Sequence, residues 1–211
     1  SYHSSGCFLM SKEKIEFGDF QTPLKLASIA CERLANLGIS PSVIIEPTCG
    51  VGAFVIASLN QFETAKKIYC ADINNDYLSV LRGTLEAYPS QDVVSIEYGD
   101  FFGYDWASKA SDSDGDLLVL GNLPWVTNTV QSKISSDNVP EKDNVVGLGG
   151  LDAITGKANF DISEWMMIDM IKWSPGKKID IAMMLKTAVA RKILSYVEKH
   201  KIGCYYSEII T

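Results

Sequence analysis

The 211-residue sequence has no apolar run long enough to span a bilayer, and no charged-then-apolar leader opens it. Excess basic charge is also missing. Nineteen Lys and Arg face 26 Asp and Glu, and the net charge of −7 argues against a general-purpose nucleic-acid surface on these residues. Cysteine is sparse and badly spaced for a metal. Cys7, Cys31, Cys49, Cys70 and Cys204 are odd in number and lack the close pairs of zinc sites, so reduced thiols and a cytoplasmic location are expected. No internal repeat is present. What remains is 46% hydrophobic and 21% charged residues, the balance of a globular chain with one well-buried core. The opening "SYHSSG" resembles an expression-tag remnant, so residues 1–10 are set aside and the domain is read from 11 to 211.

Short apolar, β-branched runs alternate with helical spacing. "PSVIIEP", "KIYCADI", "VVSIEYGD", "DLLVLGN" and "KIDIAMML" read as strands. "GAFVIASLNQF", "NDYLSVLRGTLEAY", "DISEWMMIDMIKW" and "TAVARKILSYVEKH" read as helices, with Asp161 and Glu164 spaced like a capping box. This alternation predicts an α/β fold with a mostly parallel sheet and helices on both faces. Residues 127–158 break the pattern. They are polar and Gly-rich, and a loop of that length is functional or mobile; Lys157 within it could meet phosphate, but no contact is assigned.

The strand ends carry the chemistry. "EPTCGVGAF" joins the first strand to the first helix through Gly50 and Gly52, a turn that lets the backbone approach a ligand beside a helix N-terminus. By itself a Gly-x-Gly is equally a tight turn. Asp72 ends the second strand, where a carboxylate accepts hydrogen bonds from ribose hydroxyls. Asp100 and Phe101 follow the third, and Asn122 ends the fourth. Either aspartate alone could be a strand-end cap, whereas the ordered set matches the edge at which open α/β sheets bind ligands. The fourth strand runs into Asn122-Leu123-Pro124-Trp125. An amide, a proline-restrained carbonyl and a large aromatic suit a flat, aminated ring, although Trp125 could also be a core aromatic.

In order, "FGDFQTP", "EPTCGVGAF", "ADI", "GDFF" and "NLPW" resemble the motifs of S-adenosylmethionine-dependent, adenine-specific DNA methyltransferases, from Phe17 to about Thr211. The resemblance implies a Rossmann-like class I methyltransferase fold, double-stranded DNA as substrate, and membership of a restriction–modification system with possible partner subunits. It implies that Thr22 and Pro23 close over the methionine end of the cofactor and that Glu46 and Gly50 line its amino acid portion, with Thr48, Gly52 and Asn122 also counted among the cofactor-binding residues. Phe54 would lie below the turn, Asp72 on the ribose, Ile73 against the adenine, Asp100 on its amine and Phe101 on its ring. Asn122 and the Leu123 carbonyl would accept from the target amine, and Trp125 would stack on the flipped base. No metal is implied.

Leu123 departs from the pattern, because many members have proline there. If only the carbonyl is used, proline at 123 should be tolerated, with Pro124 holding the geometry. The motif order, with "FGDFQTP" first, is the gamma-type arrangement, in which target recognition follows catalysis. The sheet is therefore expected to stop before its last strands, with the recognition domain outside this chain. Two other readings stay open: transfer to another planar nitrogen, in a protein glutamine or an RNA base, or a non-catalytic module of the same fold.

Overall fold

A computed structural model describes residues 21–111, 115–124, 161–173 and 178–204. Cys7, the first part of "FGDFQTP", Trp125, the 127–158 loop with Lys157, and residues 205–211 lie outside the described residues. The elements run α1 (Leu24–Asn36), β1 (Val43–Glu46), α2 (Ala53–Gln61), β2 (Lys67–Asp72), α3 (Asn75–Leu85), β3 (Val94–Tyr98), α4 (Trp106–Ser111), β4 (Leu117–Asn122), α5 (Ile162–Lys172), β5 (Ile179–Met184) and α6 (Thr187–Lys199).

The five strands form one parallel sheet in the order β3-β2-β1-β4-β5. The order reverses at β1. Consecutive strands step outward on one side, and β4 returns to pair with β1 on the other, which opens a crevice at the carboxyl ends. The strands read as near-continuous Val, Ile and Leu because both faces are covered. Ile44, Ile68, Cys70, Leu118 and Leu120 face Ala27, Cys31, Phe54, Leu78 and Leu81 of α1, α2 and α3. Ile45, Ala71 and Val119, one residue out of phase, face Trp106, Met166, Met170 and Trp173 of α4 and α5. A third small cluster, Ile168 with Val189 and Ile193, fastens α6 to α5.

Two helices were not anticipated by the spacing analysis, α1 and the six-residue α4. The capping box is also modified. Asp161 caps α5 through the Ser163 N–H and Oγ, while Glu164 takes Lys192 Nζ at 2.7 Å. Lys186 meets the other Asp161 oxygen at 2.8 Å, so two lysines of the β5–α6 region hold the first turn of α5. Among the described residues no helix is long and apolar enough to cross a membrane, and no group of three or more His, Cys, Asp or Glu could hold a metal ion. The described cysteines are free thiols, and burial pushes Cys31 up to about 11.

Candidate active site

Glu46, Asp72 and Asn122 are the last residues of β1, β2 and β4, so the parallel register brings them to one edge. Between them stands the turn from β1 to α2. Its entry is fixed by Cys49 N–H donating to Ala71 O at 2.9 Å, and its exit by Gly52 N–H donating to Cys49 O at 2.8 Å. Gly50 and Gly52 both have positive φ, at 53° and 88°. A side chain at Gly52, the residue that caps α2, would also strike Leu81 of α3. Here glycine is needed for conformation and for space.

Asp72 anchors this turn. One carboxylate oxygen accepts from Gly50 N–H and the other from Asn74 N–H, both at 2.8 Å. Asn74 in turn caps α3 by accepting from Asp76 and Tyr77 N–H. Beside Asp72, Ile73 is 59% exposed, an open apolar surface at the crevice.

Glu46 is 2% exposed, and its Oε2 is buried with no hydrogen-bond partner among the described residues. Burial pushes its carboxyl well above the usual range, the neighbouring Cys49 and Asp72 add to that, and the Val55 amide opposes it. Gly121 on β4 lies alongside: a Cβ there would stand 3.5 Å from Glu46 Cγ, an ordinary contact. A hydrogen bond with Cys70, and then burial, hold the Cys49 thiol protonated. An orphaned carboxylate oxygen in such a place is costly unless a donor meets it.

Asn122 is held from two sides. Its main-chain carbonyl accepts from Thr48 Oγ1 at 3.3 Å, and its Nδ2 donates to Thr22 Oγ1 at 3.2 Å. Thr22 and Pro23 lie at the start of α1, where the Pro23 carbonyl accepts from Leu26 and Ala27 N–H. The preceding Gln21 accepts from Val51 N–H, in the glycine turn, through its Oε1 at 3.1 Å. Gln21 and Asn74 were not singled out from sequence. Asn74 had a readable signal as an amide before a helical run, whereas Gln21 acts only through tertiary contact.

Two positions differ from expectation. Phe101 does not present its ring to the crevice. It is 2% exposed and packs edge-on to Phe102 and against Trp173, in the α4–α5 core. Asp100, two residues beyond β3, closes its own turn by accepting from Phe102 N–H at 3.3 Å. Leu123 offers more than its carbonyl acceptor: its N–H donates to Met184 O at 3.2 Å and its side chain is 1% exposed. Proline has no N–H to make that bond, which argues against the expected tolerance at this position. Phe54 lies buried in the first turn of α2, below the glycine turn.

No family model matches the chain. It is 45% identical over 198 residues, 94% of its length, to the Type II methyltransferase M.NspV of Nostoc sp.. The chain is homologous to the Type II methyltransferases. It spans 41% of that relative's length. Its fold is the Rossmann-like class I methyltransferase fold, and a candidate RNA methyltransferase from Pyrococcus horikoshii shares it. That structure matches with a TM-score of 0.51 and 17% identity, over 92% of this chain and 75% of its own.

Proposed function

We propose that this chain binds S-adenosylmethionine and transfers its methyl group to the exocyclic amine of adenine in double-stranded DNA, within a restriction–modification system. Residues 11–211 would be the cofactor-binding and transfer domain, with sequence reading left to a separate recognition domain. The observation that carries the reading is the juxtaposition of two constructions at one sheet edge. One is a glycine turn anchored by Asp72 beside the buried Glu46 carboxylate, and the other is Asn122, held at its main-chain carbonyl and at its side-chain amide. The homology to a Type II methyltransferase supports it.

The donor set fits the cofactor. The partnerless Glu46 oxygen suits an ammonium group. Asp72, held by two backbone N–H groups, brings a carboxylate to the place where ribose hydroxyls would donate. Ile73 offers the flat apolar contact a purine needs. When bound, S-adenosylmethionine supplies an electrophilic methyl group on a positively charged sulfur.

The rest falls to the chain. An aromatic amine is a weak nucleophile because its lone pair is delocalised into the ring. Asn122 Oδ1, accepting from the amine, would draw the nitrogen toward tetrahedral geometry and stabilise the positive charge that develops on it. The amine would take the methyl group through its lone pair, and its surplus proton would then leave to water. No general base is required for that order of events. The Leu123 carbonyl is the second acceptor in this reading, placed by Pro124 and by the Leu123–Met184 rung. Trp125 would stack on the extruded base, contributing about 1–3 kcal/mol toward an unpairing cost of a few kcal/mol.

The test is calorimetry of the chain with S-adenosylmethionine, followed by single-turnover transfer of tritiated methyl to duplex DNA in the native full-length context. Asn122→Ala should slow transfer by about 100-fold or more while cofactor affinity changes little. Label entering protein or RNA instead of DNA would overturn the substrate, and transfer at the parent rate by Asn122→Ala would overturn the mechanism.

A further inference from the structure

An asparagine side chain turns freely about its bonds unless a partner holds it. To accept from a target amine, the Asn122 amide must be kept in one place.

At the end of β4 the side-chain amide is held by Thr22, whose hydroxyl fixes where the group sits. Its Oγ1 lies 3.2 Å from Asn122 Nδ2, across a sequence separation of 100 residues, and it accepts. Thr48 fixes the other end of the residue by donating to the Asn122 main-chain carbonyl at 3.3 Å. Backbone and side chain are thus held by two hydroxyls from different segments, one in the β1–α2 turn and one before α1. The next residue toward the N-terminus reinforces the placement. Gln21 Oε1 accepts from Val51 N–H at 3.1 Å, so residues 21 and 22 together tie the glycine turn to the amide.

We infer that Thr22 is a positioning residue for methyl transfer, holding the Asn122 amide in the place from which it meets the target amine. This rests on the transfer reaction proposed above, and it assigns Thr22 to the transfer half of the site instead of the cofactor half that the resemblance implied. The bonds made and broken are those already described. Thr22 touches none of the reacting atoms and gains no proton.

The experiment measures single-turnover transfer of tritiated methyl from S-adenosylmethionine to duplex DNA by the full-length protein, beside calorimetric cofactor affinity. Thr22→Val keeps the shape and loses the hydroxyl, leaving Asn122 Nδ2 without that acceptor. It should slow transfer by about 10-fold, the scale of one lost buried hydrogen bond, with cofactor affinity within about threefold. Thr22→Ser should restore the rate. Because valine could upset the start of α1, Thr22→Ala is run in parallel, with thermal melts, and should show the same rate loss. The decisive arm is the pair with Asn122→Ala. Without an amide to orient, Thr22→Val should slow transfer no further, whereas a merely structural role would keep its full effect. Parent-rate transfer by both hydroxyl-free variants, effects that multiply in the double variant, or a loss confined to cofactor affinity would each overturn the assignment. If Asn122→Ala alone transfers at the parent rate, the transfer mechanism itself fails, and that outcome is distinct from the others.

Discussion

Leu123 donates its backbone N–H to the carbonyl of Met184, and so extends the β4–β5 ladder one residue beyond Asn122. Leu123→Pro removes the donor, leaves that carbonyl without this partner, and takes a side chain that is 1% exposed out of the core. The orphaned carbonyl alone costs about 1–3 kcal/mol. We expect a lower urea midpoint with slower methyl transfer, since the same rung places the Leu123 carbonyl. Parent-like stability would show that the rung carries no load.

Asp72 accepts two backbone hydrogen bonds, one on each oxygen, and an amide has only one acceptor. Asp72→Asn should therefore loosen the glycine turn in spite of its matching shape. The expected cost is about 1–3 kcal/mol in a denaturant melt, with weaker S-adenosylmethionine binding by calorimetry. If stability holds while affinity falls, Asp72 acts on the ligand alone.

Glu46 titrates well above its usual 4.5 because it is buried. The folded state therefore binds its proton more tightly than the unfolded state, so folding stability from this group falls as pH rises from about 4.5 to the raised value, then levels. Glu46→Gln removes that loss. The variant should melt at least about 2 °C above the parent at pH 8, and match it near pH 4. Its cofactor affinity should drop, because the carboxylate is the group suited to an ammonium. A melting difference independent of pH would refute the buried charge as the cause.

Much of this arrangement was readable from residue order. The strands announce themselves because burial on both faces demands unbroken Val, Ile and Leu, as in Val43–Glu46 and Leu117–Asn122. Their terminal polar residues stand out against those runs. Helix α1 did not announce itself, because it buries only Ala27 and Cys31 fully and exposes Leu24, Leu26 and Ile29, which smears the apolar stripe. α4 has six residues, too few for a period to register. Direction was the other blind spot. That Phe101 turns into the Trp106–Trp173 core, and that Thr22 reaches Asn122, depends on partners far away in sequence. The chemistry of Gly50 and Asp72 is local enough to guess, but their mutual bond is not.

The strand order also implies a sequence of events in time. β1, β2 and β3 follow one another closely in the chain and pair as neighbours, whereas the contacts joining β1 to β4, such as Thr48 to Asn122, close loops of 74 residues. Parallel pairing over that distance is slow, because the chain entropy is lost before the contact is made. We therefore expect the β1–β3 unit to acquire protected amides early in refolding, with β4 and β5 protected later in pulse-labelled hydrogen exchange. Simultaneous protection would contradict this order. On that schedule a partly folded chain would already hold Glu46, the glycine turn and Asp72, and the Asn122 amide would arrive last, so that under the proposed function an immature chain could hold a methyl donor without using it.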